Sequence, residues 1–186
     1  MKVLSAKLVT GLADAHAEIF SSLGPLLSVM RGRPVILKRA TFPPDTTSGL
    51  WLNLPDMDIL AVREDTADTE HEQVILGHEI WHMFQGHCST HTTTGQVAAR
   101  GRTAETISQV VQGLVSCGDG RLRGKDPLEL QFAARTCFDD DQEVEAEMFG
   151  LHFGTELRTT RKSRRRPDLR HVAGRIEDSM GRGPWN

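Results

Sequence analysis

Five consecutive residues, His78-Glu79-Ile80-Trp81-His82, carry the densest chemical information in the sequence. Residues four apart on a helix lie one turn above each other on the same face, so both imidazoles can reach a single ion. Zinc takes imidazole nitrogen at about 2.0–2.1 Å, and a hydrolytic zinc site keeps one coordination position for water. Glu79 directly follows the first histidine, where its carboxylate can take a proton from that water without being a ligand. Such an ion lowers the pKa of its water from about 15.7 toward about 7, which makes a nucleophile available at neutral pH. The predicted chemistry is zinc-dependent hydrolysis, with His78 and His82 as metal ligands and Glu79 as the catalytic base.

A site of this kind needs a third protein ligand. The run Asp139-Asp140-Asp141-Gln142-Glu143-Val144-Glu145-Ala146-Glu147-Met148-Phe149-Gly150 supplies an acidic helix far downstream. Glu143 and Glu147 are four apart and share a face. One could bind the metal while the other accepts a hydrogen bond from a ligand imidazole. The plain alternative is that Asp140 and Glu143 form a capping box at a helix start. Cys88 could also reach a metal. The metzincin pattern, with Gly three and His six residues after the second histidine, fails because Gln85 and Cys88 stand there. The chain has no tyrosine, so a developing oxyanion would need another donor. His87, His91, Arg100 and Arg102 are the candidates. His152, nine residues after Glu143, falls on the opposite helix face.

The pairing of His-Glu-x-x-His with Glu-x-Glu-Ala-x-x-Phe on a later helix resembles the ImmA/IrrE family of metallopeptidases. The resemblance spans about Pro34 to Leu157. It implies that Glu143, three residues before Ala146, is the third ligand, with Phe149 at the aromatic position and a strand-rich part ahead of the zinc helix. It also implies cleavage of a protein partner, a separately encoded helix-turn-helix transcriptional repressor. Similar proteins are also described as toxin components of toxin–antitoxin pairs. Two features depart from the family pattern: Phe149-Gly150-Leu151 replaces the usual Phe-Ala-x-x-Leu, and the stretch from 91 to 139 is longer. The non-enzymatic alternative is a regulator whose metal is structural or vestigial and whose basic tail binds DNA or an acidic partner.

The elements that must position these residues are legible as changes of period. Leu8, Leu12, His16, Ile19, Phe20 and Leu23 recur at helical spacing from about Ser5 to Leu27, and Gly24-Pro25 is expected to end that helix. Pro34-Val35-Ile36-Leu37, Gly49 to Leu54 and Ile59 to Val62 read as short strands separated by turns at Phe42-Pro43-Pro44-Asp45 and Pro55-Asp56-Met57-Asp58. Thr69-Glu70-His71-Glu72 has the form of a capping box. It opens a helix, apolar nearly all round from Val74 to Phe84, that Gly86 should stop. Further helices are expected after Thr103 (Ile107, Val110, Val111, Leu114, Val115), from about Pro127 to Phe138, and from Asp139 to Leu157. The fold predicted is α+β, a small mostly antiparallel sheet packed on the zinc-binding helix, followed by a helical C-terminal part. Residues 1–157 form one domain, and 158–186, with Arg158, Arg161, Lys162, Arg164, Arg165, Arg166 and Arg170, form a basic, flexible tail.

Composition bounds the class. The 186 residues carry a formal net charge of -3, with 38% hydrophobic and 25% charged residues, ordinary values for a globular domain. Direct nucleic-acid binding is not expected of the body of the chain, and only the basic tail could support it. No apolar run approaches the roughly 20 residues of a membrane span, and no secretory signal is visible at the start. Three widely spaced cysteines, Cys88, Cys117 and Cys137, predict reduced thiols in a cytoplasmic protein. No Gly-rich phosphate loop and no Ser-His-Asp arrangement stands out.

Overall fold

Three short apolar runs pair into one sheet in the computed structural model, which describes residues 1–12, 19–44, 47–87, 109–110, 114 and 140–164. The strands are β1 (Val35–Ala40), β2 (Gly49–Asn53) and β3 (Asp58–Arg63), in the order β1-β3-β2. β2 and β3 are antiparallel, with Trp51 opposite Leu60, and β1 and β3 are parallel, with Leu37 opposite Leu60. The mostly antiparallel sheet expected from the sequence is therefore corrected to a mixed one. The turn after β2, closed by Leu54 N–H on the Met57 carbonyl at 2.9 Å, makes a hairpin. The connection from β1 to β2 instead carries the chain past the place β3 will fill, so β3 returns between them, parallel to β1.

β3 is apolar from Ile59 to Val62 because both faces are covered. Leu60 and Val62 join the core beneath the helices, and Ile59 and Ala61 pack on the other side with Leu50, Leu52, Phe42, Met57, Val110 and Leu114. This is the two-residue alternation of a strand with no solvent face. Of the helix expected after Thr103, Gln109, Val110 and Leu114 are described, the last two buried; the rest of it, and the helix expected over 127–138, lie outside the described residues.

Among the described residues, α2 (Ile19–Arg31) and α3 (Thr69–Gln85) pack on the first face, and α1 (Lys2–Gly11) and α4 (Asp140–Arg164) pack on them. The chain is α+β. The single N-terminal helix expected from Ser5 is two helices here, and Gly24-Pro25 does not end the second. Pro25 lies inside α2 with its ring exposed, while Leu23 and Leu27 continue the buried face. A proline inside a helix costs about 3 kcal/mol, and burial of Leu23 and Leu27, worth about 1.5–3 kcal/mol each, offsets it. α4 continues past Leu157 to Arg164, so the boundary set at 157/158 falls within a helix; residues 165–186 lie outside the described ones. No described helix is long and apolar enough to cross a membrane.

α3 is held to the sheet by a buried charge. Glu72, 5% exposed, accepts from Arg39 of β1 at 2.6 and 3.1 Å, and Arg39 lies over the Phe20 ring. Glu72 is thereby taken out of the capping box expected at Thr69. Asp68 caps instead, its carboxylate accepting from Glu70 N–H at 2.9 Å.

Candidate metal centre

α3 and α4 run antiparallel, as the pairing of Glu70 near the start of α3 with Arg158 late in α4 shows. They touch where both lack a side chain. A Cβ on Gly150 would lie 2.5 Å from the Val74 carbonyl oxygen, and one on Gly77 would lie 2.8 Å from the Gly150 Cα. Backbones approach this closely only where glycine stands on both sides. Ala146, Phe149 and Phe153 fill the contact around that point, with Phe149 stacked on Trp81 at 4.9 Å between centroids. The approach brings Glu143, two turns before Gly150, level with the histidines. Gly150 in place of the alanine expected from the resemblance is matched by Gly77 on the facing helix.

The result is a convergence of His78, His82 and Glu143, with one ligand atom of each within 4.8 Å of the others. The two Nε2 atoms are 3.0 Å apart. Glu143 places Oε2 3.5 Å from His78 Nε2 and Oε1 3.4 Å from His82 Nε2. The imidazoles meet edge-on, centroids 4.6 Å apart. Two nitrogens bound at about 2.0–2.1 Å in a tetrahedral arrangement sit about 3.3–3.4 Å apart, so the spacing needs a change of only a few tenths of an ångström. Two imidazoles and a carboxylate are a donor set suited to zinc and its divalent neighbours. His82 is 8% exposed at its side chain and Glu143 29%, so the point is reachable from outside on the α4 side.

Glu79 is buried, 4% exposed. Room for it comes from Gly49, the first residue of β2: a Cβ there would lie 2.7 Å from Glu79 Oε1 and 2.9 Å from its Cγ. The carboxylate thus sits between α3 and the start of β2, one residue from the candidate ligand His78.

No family model, curated protein or solved structure matches the chain. The chemistry of the site is therefore read from its own atoms.

The other sequence candidates separate. Glu147, proposed as hydrogen-bond partner of a ligand histidine, is exposed, and the Nδ1 partner of His82 is His87, at 3.0 Å. His87, expected as an oxyanion donor, therefore lies behind the candidate ligand His82, against the ring nitrogen other than the one beside Glu143. Its position follows from the end of α3. Gly86 adopts the left-handed conformation (φ 68°, ψ 30°), and the N–H groups of Gly86 and His87 both reach back to the His82 carbonyl at 2.9 and 3.3 Å. Gly86 was read as a stop; a left-handed cap also folds the next residue back onto the last turn, and that signal could have found His87. His152 pairs with Glu156 at 3.4 Å, apart from the centre, as its helix face predicts. His91, Cys88, Arg100 and Arg102 lie outside the described residues.

Proposed function

We propose that the protein is a zinc-dependent peptidase acting on a protein partner. The partner that the ImmA/IrrE resemblance implies is a separately encoded helix-turn-helix repressor. The observation that carries the reading is the meeting of His78, His82 and Glu143 from helices more than fifty residues apart in sequence, at distances an ion could bridge. Zinc bound there would supply a Lewis acid that lowers the pKa of a water toward about 7.

The chain's own residues supply the rest. His78 and His82 would hold the ion through Nε2, and Glu143 would hold it through a carboxylate oxygen. Glu79, beside them but facing Gly49, would take a proton at its carboxylate from the attacking water and deliver it to the leaving amine. Gly49 opens β2, which among the described residues is an edge strand. An extended peptide added along that edge by main-chain hydrogen bonds would pass Glu79.

The test pairs metal content with cleavage. Elemental mass spectrometry should find about one zinc per chain in wild type and Glu79→Gln, and none in His78→Ala. A pooled library of defined peptides, read by mass spectrometry, should be cut by wild type. Glu79→Gln should be slower by at least about 10²-fold, the usual weight of a general base. Equal products from both proteins would sink the role of Glu79. Absence of metal in wild type after zinc is supplied would move the protein to the non-catalytic reading, a regulator without hydrolytic chemistry.

A further inference from the structure

We propose that His87 is a positioning residue for the metal centre: its Nδ1 accepts the Nδ1–H of His82 and so holds the lone pair of His82 Nε2 toward His78 and Glu143. This rests on the metal-centre reading above and adds a residue to it.

The argument is one of protons. Two ring nitrogens 3.0 Å apart need one hydrogen between them, so one ring donates and the other accepts. A neutral His82 has one ring proton. If that proton is on Nε2, it points into the space shared with His78 Nε2 at 3.0 Å and blocks a metal there. If it is on Nδ1, the lone pair on Nε2 is available, and His87 must accept through Nδ1 while keeping its own proton on Nε2. The tautomer of His87 and the binding competence of His82 are thus one choice. The rings meet edge-on at 73°, centroids 5.2 Å apart, which suits an in-plane hydrogen bond.

The fold builds this contact from a single turn. Both N–H groups after α3 close on the carbonyl of His82, the residue whose ring His87 meets, so backbone and side chain of the ligand are gripped by the same two residues. Metal-bound histidines usually give their second N–H to a carboxylate or a carbonyl. An imidazole acceptor orients the ligand equally but brings no negative charge. With two imidazoles and one carboxylate as donors and a neutral imidazole behind them, the residues would leave a divalent ion with net positive charge, suited to a Lewis acid.

The experiment is zinc affinity by competition with a chromophoric chelator, together with the visible spectrum of the cobalt-substituted protein. Wild type, His87→Leu and His87→Asn are compared. His87→Leu, which has no acceptor, should bind zinc about 10–100-fold more weakly and shift the cobalt bands. His87→Asn, whose side-chain carbonyl can accept, should recover most of the affinity and the wild-type spectrum. Nitrogen-15 NMR of the imidazoles in the zinc-loaded wild type should show His82 protonated at Nδ1 and His87 at Nε2; this readout does not depend on the variants folding. Unchanged affinity and spectrum in His87→Leu would overturn the proposal while leaving the metal centre standing. So would loss of zinc from both variants with a change in coordination number, because His87 would then be a ligand. Failure of wild type to bind zinc or cobalt would remove the metal centre and the proposal together.

Discussion

Two polar clusters lie at opposite ends of β2, and they are built on opposite principles. At the Asn53 end, Asp58 is fully buried and surrounded by donors: Arg31 Nε at 3.0 Å, Arg33 Nε at 2.7 Å and Trp51 Nε1 at 2.9 Å. Arg33 also reaches Asn53 Oδ1 at 2.6 Å and the Leu54 carbonyl at 3.1 Å. Burial pushes the Asp58 carboxyl up, but the hydrogen bonds from Arg33, Trp51 and Arg31 outweigh it and hold it below the usual carboxylate range. At the Gly49 end, where Glu79 packs on the strand, the neighbouring α3 histidines bring two imidazole nitrogens to 3.0 Å of each other and to 3.4–3.5 Å of a carboxylate. Such an arrangement needs a proton or a cation among the acceptors. Donors around an acceptor make a joint; two imidazoles and a carboxylate around one point make a candidate binding site. The first ties α2 to the hairpin, and on the proposed reading the stability of the second should depend on a bound ion.

The largest expected effect tests that dependence. If zinc binds only the folded chain, free zinc at about 1,000 times its dissociation constant stabilises the wild type by about 4 kcal/mol. Thermal unfolding with zinc and with chelator should show that gap as a rise in Tm. The gap should vanish in His78→Ala and persist in Asp58→Asn. An equal rise in His78→Ala would mean that zinc acts elsewhere and that the contrast between the two clusters is empty.

The next effect is on the joint itself. Removing one partner of a buried ion pair costs about 3–5 kcal/mol. Arg31 and Arg33 keep about a quarter of their side chains exposed, so solvent recovers part of the loss, and about 2–3 kcal/mol is expected for Asp58→Ala. Urea unfolding should show this with zinc content unchanged. The same cluster sets an acid response. Because the folded pKa of Asp58 lies below its unfolded value, its contribution is complete above about pH 4 and is lost as pH falls through the folded pKa. Stability measured from pH 7 downward should therefore stay level on this account until about pH 4 and then fall. Asp58→Asn should lack that part of the fall. A decline of equal size in Asp58→Asn would assign the acid sensitivity to other carboxylates.

The sequence displays the second cluster far better than the first. His78, Glu79 and His82 announce themselves because the motif is local and the helix that carries it is apolar all round. Helical spacing narrowed the third candidate to Glu143 or Glu147, which share a face, and the resemblance, not the spacing, singled out Glu143. What was not legible depends on neighbours remote in sequence. The Gly77–Gly150 contact, which brings Glu143 to the histidines, is a pair of glycines each costing about 1 kcal/mol in a helix relative to alanine; each alone reads as a flaw. The parallel pairing of β1 with β3 rests on hydrogen bonds that no local pattern encodes. Asp58 was read as part of a turn, since a buried carboxylate cannot be told from an exposed one until Arg31 and Arg33 are placed. His87 was read by residue type, as a donor, although Gly86 already directed it back toward His82.

The smallest expected effect concerns the start of α3, where sequence and structure chose different capping residues. Asp68 accepts from Glu70 N–H, so Asp68→Ala should cost about 1 kcal/mol. Thr69→Ala, at the residue the sequence pattern favoured, should cost a few tenths at most, within the usual range of surface substitutions. Chemical denaturation resolves the difference. The pair also probes how independent the metal centre is of the helix that carries it. His78 is ten residues from Asp68, about 15 Å along the axis, and the Gly77–Gly150 contact clamps α3 between the two. Fraying at the cap should therefore stop before the ligands, and zinc affinity should be the same in Asp68→Ala as in wild type. A fall in affinity in that variant would mean that the clamp does not isolate the ligands, and that the two ends of α3 unfold as one unit.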